Sequence, residues 1–372
     1  AAGLNRTPQR EQQFRFGPPY MEVAQRIVFK QGARDRPRSL ADLDAELVVV
    51  DGSSHHDWLL ELSAENPNLR WRTTDDYDAN ELLRQVIQGE IAYTIADSHT
   101  LDIQRRYYPD LSVAFTVIDQ ADIAWLLNQH IDASLYAEVI KFFGELRHSG
   151  QLVQLLDQHY GHVSHFNYVD TSLFIDAVQR VLPKYRELFE QHAGSLDWRL
   201  LAAISYQESL WNPRAVSPTG VRGLMMLTLP TAQAMGVTSR LNPEQSIQGG
   251  ARYFERMLQQ IPARIPEPDR TWFALAAYNI GYGHLEDARI LTQQQGGDPD
   301  RWIDVQTRLP LWRQKQFYRQ TKYGFARGDE PVRYVGNIRR YYDTLVWLDE
   351  RGRIPAKPIE ITIPEGSGDG VD

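Results

Sequence analysis

A single carboxylate stands out by the company it keeps. Residues 196–210 read LDWRLLAAISYQESL, and Leu200, Leu201 and Ile204 recur at the three- and four-residue spacing of a buried helical stripe. Glu208 lies four residues beyond Ile204 and seven beyond Leu201, which sets it on the same stripe. A carboxylate there faces the protein or a cleft. Loss of hydration disfavours its charged form and raises its pKa, as a general acid near neutral pH requires. The competing reading is a helix whose apolar stripe has run out at its last turn.

Thiol chemistry is excluded. The 372 residues contain no cysteine, hence no disulfide, thiolate metal site or thiol nucleophile. His159, His162 and His165 form an H-x-x-H-x-x-H string, yet no acidic or orienting partner accompanies it, so neither metal nor cofactor is expected. His55-His56 reads as part of a solvated loop. Nine Trp and 18 Tyr are core-filling residues in most proteins, and they also offer faces on which sugars stack. Trp211, three residues after Glu208, is the ring placed to take that second role.

The elements that must position these groups fall into two kinds. Up to about residue 165, strand-like runs at 46–50, 69–73 and 91–96 alternate with helical spacing at 57–64 and 80–88, and helical patterns follow at 134–147 and 151–160. This alternation implies βαβ units and a largely parallel sheet. After about residue 170 the pattern is all-helical, with helices expected over 183–192, 196–210, 230–235, 243–260, 270–279 and 332–349. Ser195, Thr228 and Asn242-Pro243 read as their starts and Gly236 as a stop. The Pro- and Gly-rich residues 351–372 read as a flexible tail. Forty basic against 48 acidic side chains leave no basic footprint, so nucleic acid is not an expected partner. No run of about 18 apolar residues is long enough to span a membrane, and no targeting segment is expected within this chain.

Residues 208–232 (ESLWNPRAVSPTGVRGLMMLTLPTA) and 276–279 (AAYN) extend the first observation. Glu208-Ser209, Pro213, Ala215, Ser217, Gly220, Gly223-Leu224-Met225, Leu227, Pro230, Thr231-Ala232 and Ala277-Tyr278-Asn279 fall in the order and spacing of the motifs of lytic murein transglycosylases, which this segment resembles. Tyr334-Val335 meets a further element of that pattern. Met226 stands where the family has Gln and Val221 where it has Ala. The Met-Met form, with residues 245–253 and 322–328, looks like the subfamily called membrane-bound lytic murein transglycosylase F.

The resemblance implies a lysozyme-like, mainly helical catalytic domain over 166–350. It also implies one Glu that protonates the bond between N-acetylmuramic acid and N-acetylglucosamine and then, as carboxylate, takes the proton from the muramic C6 hydroxyl. Water is not consumed and a 1,6-anhydro end results. On this chain Glu208 is that group. Ser209, Tyr278 and Asn279 would hold the N-acetyl and sugar groups, Tyr334 would line the cleft near the acid, and Met225 would be an apolar wall. Glu255, Glu286 and Asp287 read as solvated, which leaves no second acid. A lysozyme-type hydrolase and a non-catalytic wall-binding or peptide-sensing protein, the latter prompted by Met226, remain the alternatives.

Residues 3–20, 48–54 and 89–98 resemble the periplasmic solute-binding proteins for amino acids, an α/β fold. That resemblance implies a regulatory domain over 1–165 in which Arg10 and Ser53 or Ser54 grip a carboxylate and Asp97 an amine. The carboxylate grip is sound physically, because a helix N-terminus and a guanidinium fork both favour an anion. Its first lobe is expected to be incomplete at Ala1. The implied partners are peptidoglycan glycan strands and a stem peptide or muropeptide, and the implied place is the periplasm, peripheral at the outer membrane of a Gram-negative bacterium.

Overall fold

The computed structural model describes residues 1–65, 69–161 and 168–357. The chain divides into two compact units, Ala1–Thr171 and Ser172–Asp372. The boundary expected at 165/166, His162, His165 and residues 358–372 lie outside the described residues.

The first unit is built on a six-stranded sheet. In chain order the strands of this unit are β1 (Leu4–Asn5), β2 (Phe14–Phe16), β3 (Met21–Lys30), β4 (Leu47–Val50), β5 (Trp71–Thr74), β6 (Tyr93–Asp97), β7 (Leu111–Ala124) and β8 (Leu126–Asn128). Across the sheet they run β1-β7-β3-β6-β4-β5, while β2 pairs with β8 apart from it. The expectation of a largely parallel sheet is corrected. Only β4 with β5 and β4 with β6 are parallel, whereas β1–β7, β7–β3 and β3–β6 are antiparallel. The long β3–β7 ladder escapes a pattern reading because its register shifts between Val23 and Val28 and so breaks the two-residue alternation.

Alternation elsewhere sorts the two faces. Ile27, Phe29, Val49 and Ile95 pack with Leu59 of helix Ser54–Glu65 on one side. Val28 and Ala96 pack with Leu83, Val86 and Leu101 of helices Ala79–Gln88 and Ser98–Arg105 on the other. The first of those two helices is closed at both ends, by the Asp78–Glu81 capping box and by Gly89 at φ +82.

The second unit is helical, and its only strand-like pairing among the described residues is a pair of bridges, Val216 to Arg222 and Arg222 to Leu227. Four helices form the frame around Glu208. Trp198–Ser209 packs on Asp329–Glu350, that helix on Asp269–Ile280, and that one on Pro243–Gln260. Asn242 caps the last of these by accepting from Gln245 N at 3.0 Å, with Pro243 at the first position as its type requires. The cap of Trp198–Ser209 is Asp197, which accepts from Arg199 N at 2.9 Å, in place of the expected Ser195.

The far end of that helix is unusual. Leu210 and Trp211 both take left-handed backbone, at φ 54 and 58, where a side chain is normally disfavoured. Trp211 holds the turn shut: it is 1% exposed and its Nε1 donates to Ala202 O at 2.9 Å. The ring is therefore core rather than a sugar platform. Residues 351–354, expected to open the tail, are held as well. Gln179 Nε2 donates to Arg353 O at 3.0 Å and Ile354 is buried.

Candidate functional site

Glu208 sits on the last turn of Trp198–Ser209, on the stripe its spacing predicts. The residue is half-buried. Tyr334 OH, from Asp329–Glu350, donates to Glu208 Oε1 at 2.6 Å. Burial pushes the Glu208 carboxyl up from its ordinary 4.5 to about 7, and the Tyr334 hydrogen bond opposes that rise. The Tyr278 and Tyr334 phenols are held well above 10, first by burial and then by the charge of Glu208, so both remain proton donors.

The tyrosines form a row across the packed helices. Tyr334 and Tyr278 stack with centroids 6.5 Å apart, and Tyr253 of Pro243–Gln260 lies 5.0 Å from Tyr278. Tyr253 was not singled out in the sequence; the signal available was its place at the end of the 245–253 segment.

The loop holding Gly223, Leu224, Met225 and Met226 is clamped from every side. Ser209 and Ser205 hydroxyls both donate to Leu224 O, at 2.9 and 3.1 Å. Tyr278 OH donates to Met225 O at 3.0 Å, and Met225 N donates to Ser246 Oγ at 3.2 Å. Gly223 runs at φ +85, and a Cβ there would stand 1.8 Å from Arg240 O. Met225 is fully buried on Gly250, where an added Cβ would come within 2.5 Å of its Cγ. Met226, at the position of the expected Gln, is half-buried with φ 42.

Of the expected sugar-holding residues, Asn279 is exposed, while Ser209 and Met225 face inward. Ser205 and Ser246 complete the clamp and were missed. Ser205 could have been found, since it lies one helical turn before Ser209. Asp287, read as solvated, is corrected: it is buried and accepts from Tyr323 N at 3.1 Å. Among the described residues, no three His, Asp or Glu gather as a metal site would need.

In the first unit the four expected residues are occupied by their neighbours. Arg10 donates to Asn5 O and Gly52 O, each at 3.0 Å, with Asp57 3.7 Å from its Nε. Ser53 Oγ accepts from His56 N and buried Ser54 Oγ from Gln25 Nε2, both at 3.2 Å. Asp97 Oδ1 accepts from Asn5 Nδ2 at 3.2 Å and lies 3.2 Å from His55 Nε2. Burial pushes the Asp97 carboxyl up, but His55, His99 and Asn5 together outweigh it and the pKa ends below its ordinary value. His55-His56 is thus part of helix Ser54–Glu65 rather than a solvated loop, and His55 is buried. A cleft of about 400 Å³ is lined by Asn5, Thr7, Gln25, Ser54, Asp57 and Trp58, among others. It takes in Ser54 but not Arg10, Ser53 or Asp97.

Comparison with known proteins follows the same division. The Transglycosylase SLT domain family matches residues 188–300, and the family of bacterial extracellular solute-binding proteins, family 3, matches residues 1–162. A protein of Idiomarina loihiensis named membrane-bound lytic murein transglycosylase F is 70% identical over 355 residues, which is 95% of this chain and 78% of that protein. Proteins of the same name from Pseudoalteromonas translucida and Aliivibrio fischeri are 54% and 52% identical, over 100% and 98% of this chain and 79% and 74% of their own lengths. Among solved structures, the cysteine-binding protein of Campylobacter jejuni aligns with a TM-score of 0.39 and 19% identity, over 45% of this chain and 66% of that one. The chain belongs to the membrane-bound lytic murein transglycosylase F family, peptidoglycan lytic transglycosylases that carry a solute-binding-protein-like domain ahead of the catalytic SLT domain.

Proposed function

We propose that Glu208 performs both proton transfers of the lytic reaction. The observation that carries this is a half-buried carboxyl, raised to about 7, held by a phenol that donates to it. A carboxyl with that pKa is largely protonated at slightly acidic pH and gives its proton to the glycosidic oxygen as the bond to the muramic C1 breaks. The carboxylate left behind accepts from Tyr334 and takes the proton of the C6 hydroxyl, whose oxygen closes onto C1. The acid is regenerated, and the products together contain the atoms of the substrate and nothing more.

The neighbouring residues divide by what their side chains touch. Asn279, exposed beside Tyr278, is the group left free to hold an N-acetyl oxygen. Tyr334 orients Glu208. Ser209, Tyr278 and Met225 act through the 223–227 loop, since their polar atoms or surfaces are spent on it. Digestion of sacculi in ¹⁸O-labelled water tests the reaction class: anhydro-muramic ends without label are expected, and labelled reducing ends would make the enzyme a hydrolase.

The first unit is proposed to bind a stem peptide or muropeptide and to bias the catalytic unit through a difference in affinity between two states. A ligand carboxylate would have to displace the Asn5 and Gly52 carbonyls from Arg10, and its amine would compete with His55 for Asp97. We place the protein on the periplasmic face of the outer membrane, in keeping with relatives named membrane-bound. Among the described residues, no helix is long and apolar enough to cross a membrane.

A further inference from the structure

Two large aromatic rings stand out from the catalytic unit into solvent, Tyr323 at 51% and Phe325 at 58% exposure, on a segment that is otherwise tightly pinned. Buried Asp287 accepts from the backbone of Lys322 and Tyr323, at 3.4 and 3.1 Å. Thr321 Oγ1 accepts from Gly324 N at 3.0 Å. Farther along, Ala326 is buried, and Gly328 lies so close to Leu309 O that a Cβ would stand 1.6 Å from it.

Tyr323 is seated in a particular way. One face rests on Gly283, where any Cβ would come within 2.5 Å of the ring, and the edge of His284 closes one side at 5.8 Å. About half of the residue's surface remains exposed, and Lys322 Nζ lies over the ring, 5.4 Å from its centroid. Gly283 lies four residues after Asn279, on the first turn of helix Tyr282–Gln294, which directly follows the helix Asp269–Ile280 that carries Asn279.

We propose that Tyr323 is a stacking platform for an N-acetylhexosamine ring of the glycan strand, remote from the bond being cut. The substrate of this enzyme is a polymer, and a strand threaded past Asn279 continues beyond the residues around Glu208. A ring seated on bare backbone and half exposed offers the apolar face of a sugar a surface whose ordering cost is already met, with the long Lys322 side chain swinging aside to admit it. A lone flexible tyrosine would lack that, and the Asp287 clamp is what removes the flexibility. The inference rests on the transglycosylase reading of this unit.

The test uses the full chain and sacculi stripped of stem peptides by an amidase. Tyr323→Ala is expected to raise KM about fivefold with kcat within about twofold, the pattern of lost uniform binding. Tyr323→Trp keeps the wild-type KM. Tyr323→Leu, which covers Gly283 without a π face, raises KM as Ala does, and it carries the test should the Ala variant fail to fold. An unchanged KM in the Leu variant would overturn the platform, as would a defect that appears only when stem peptides are present. Glu208→Gln run alongside separates the two readings: if it stays active, the catalytic assignment fails, whereas an inactive Gln variant with a normal Leu variant removes the platform alone.

Discussion

Tyr334 donates its phenol proton to Glu208 Oε1 across 2.6 Å, joining the last turn of Trp198–Ser209 to the first turns of Asp329–Glu350. The two residues are 126 positions apart in the chain. A hydrogen bond to a carboxylate favours its charged form, so this contact opposes the upward push of burial. It also fixes where the carboxylate stands. Burial and this bond together leave the Glu208 carboxyl at about 7.

Tyr334→Phe tests that opposition. Removing the donor leaves burial unopposed and raises the Glu208 pKa. If protonated Glu208 is the reacting form of the free enzyme, the limb of kcat/KM that falls with rising pH moves to higher pH. The charge-assisted bond is worth roughly 1.5–3 kcal/mol, so kcat is expected to fall about tenfold or more. A pH–rate profile of both proteins checks this, and a limb moved to lower pH would contradict it.

Glu208→Gln should stabilise the fold in a pH-dependent way. The folded-state pKa of Glu208 lies above its ordinary 4.5, at about 7. The folded protein therefore holds a proton that the unfolded chain releases between those values, and stability falls across that window as pH rises. The Gln variant escapes the loss, so its advantage is absent below pH 4.5, grows up to about 7 and then levels off at roughly 3 kcal/mol. Chemical denaturation at several pH values measures it. No gain at pH 8 would mean that Glu208 is not a strained acid.

Gly223→Ala tests the clamped loop. The positive φ and the 1.8 Å approach to Arg240 O leave no room for a methyl group, so the loop must move. Moving it breaks the contacts to Ser205, Ser209, Tyr278 and Ser246, at a cost of several kcal/mol. We expect lower thermal stability and a fall in kcat larger than that of Ser209→Ala, which leaves Ser205 still bonded to Leu224 O.

His55→Ala bears on the first unit. His55 helps hold Asp97 below its ordinary pKa, so the stability that Asp97 contributes is present at neutral pH and is lost as pH falls through its folded-state value. Without His55 that value rises, so the variant is less stable at neutral pH and loses less stability on acidification. Unfolding midpoints between pH 3 and 6 would register the shift; identical curves would deny the coupling.

How much of this was legible in the sequence depended on whether the signal was local. Pro243–Gln260 was readable to its ends, because Asn242 and Pro243 mark its start and its apolar spacing is regular. The place of Glu208 on the buried stripe was readable because such a stripe is a property of one segment. Asp287 was not: its carboxylate serves backbone N–H groups 35 and 36 residues later, and helical spacing cannot distinguish such a residue from a solvated one. The bond from Ser209 to the Leu224 carbonyl was not legible either, since it joins the helix to a loop 15 residues further on. The β3–β7 ladder stayed hidden because its register shifts erase the alternation that would have announced it.

The most direct measurement is the turnover of intact sacculi by Glu208→Gln beside the wild-type chain, with both folded at the same pH. Gln is nearly isosteric and can accept from Tyr334 but can neither give nor take the catalytic proton. A loss of about a thousandfold or more in kcat is expected, with anhydro-muramic ends vanishing in proportion. Retention of more than a tenth of the wild-type rate, with the same anhydro ends, would contradict it.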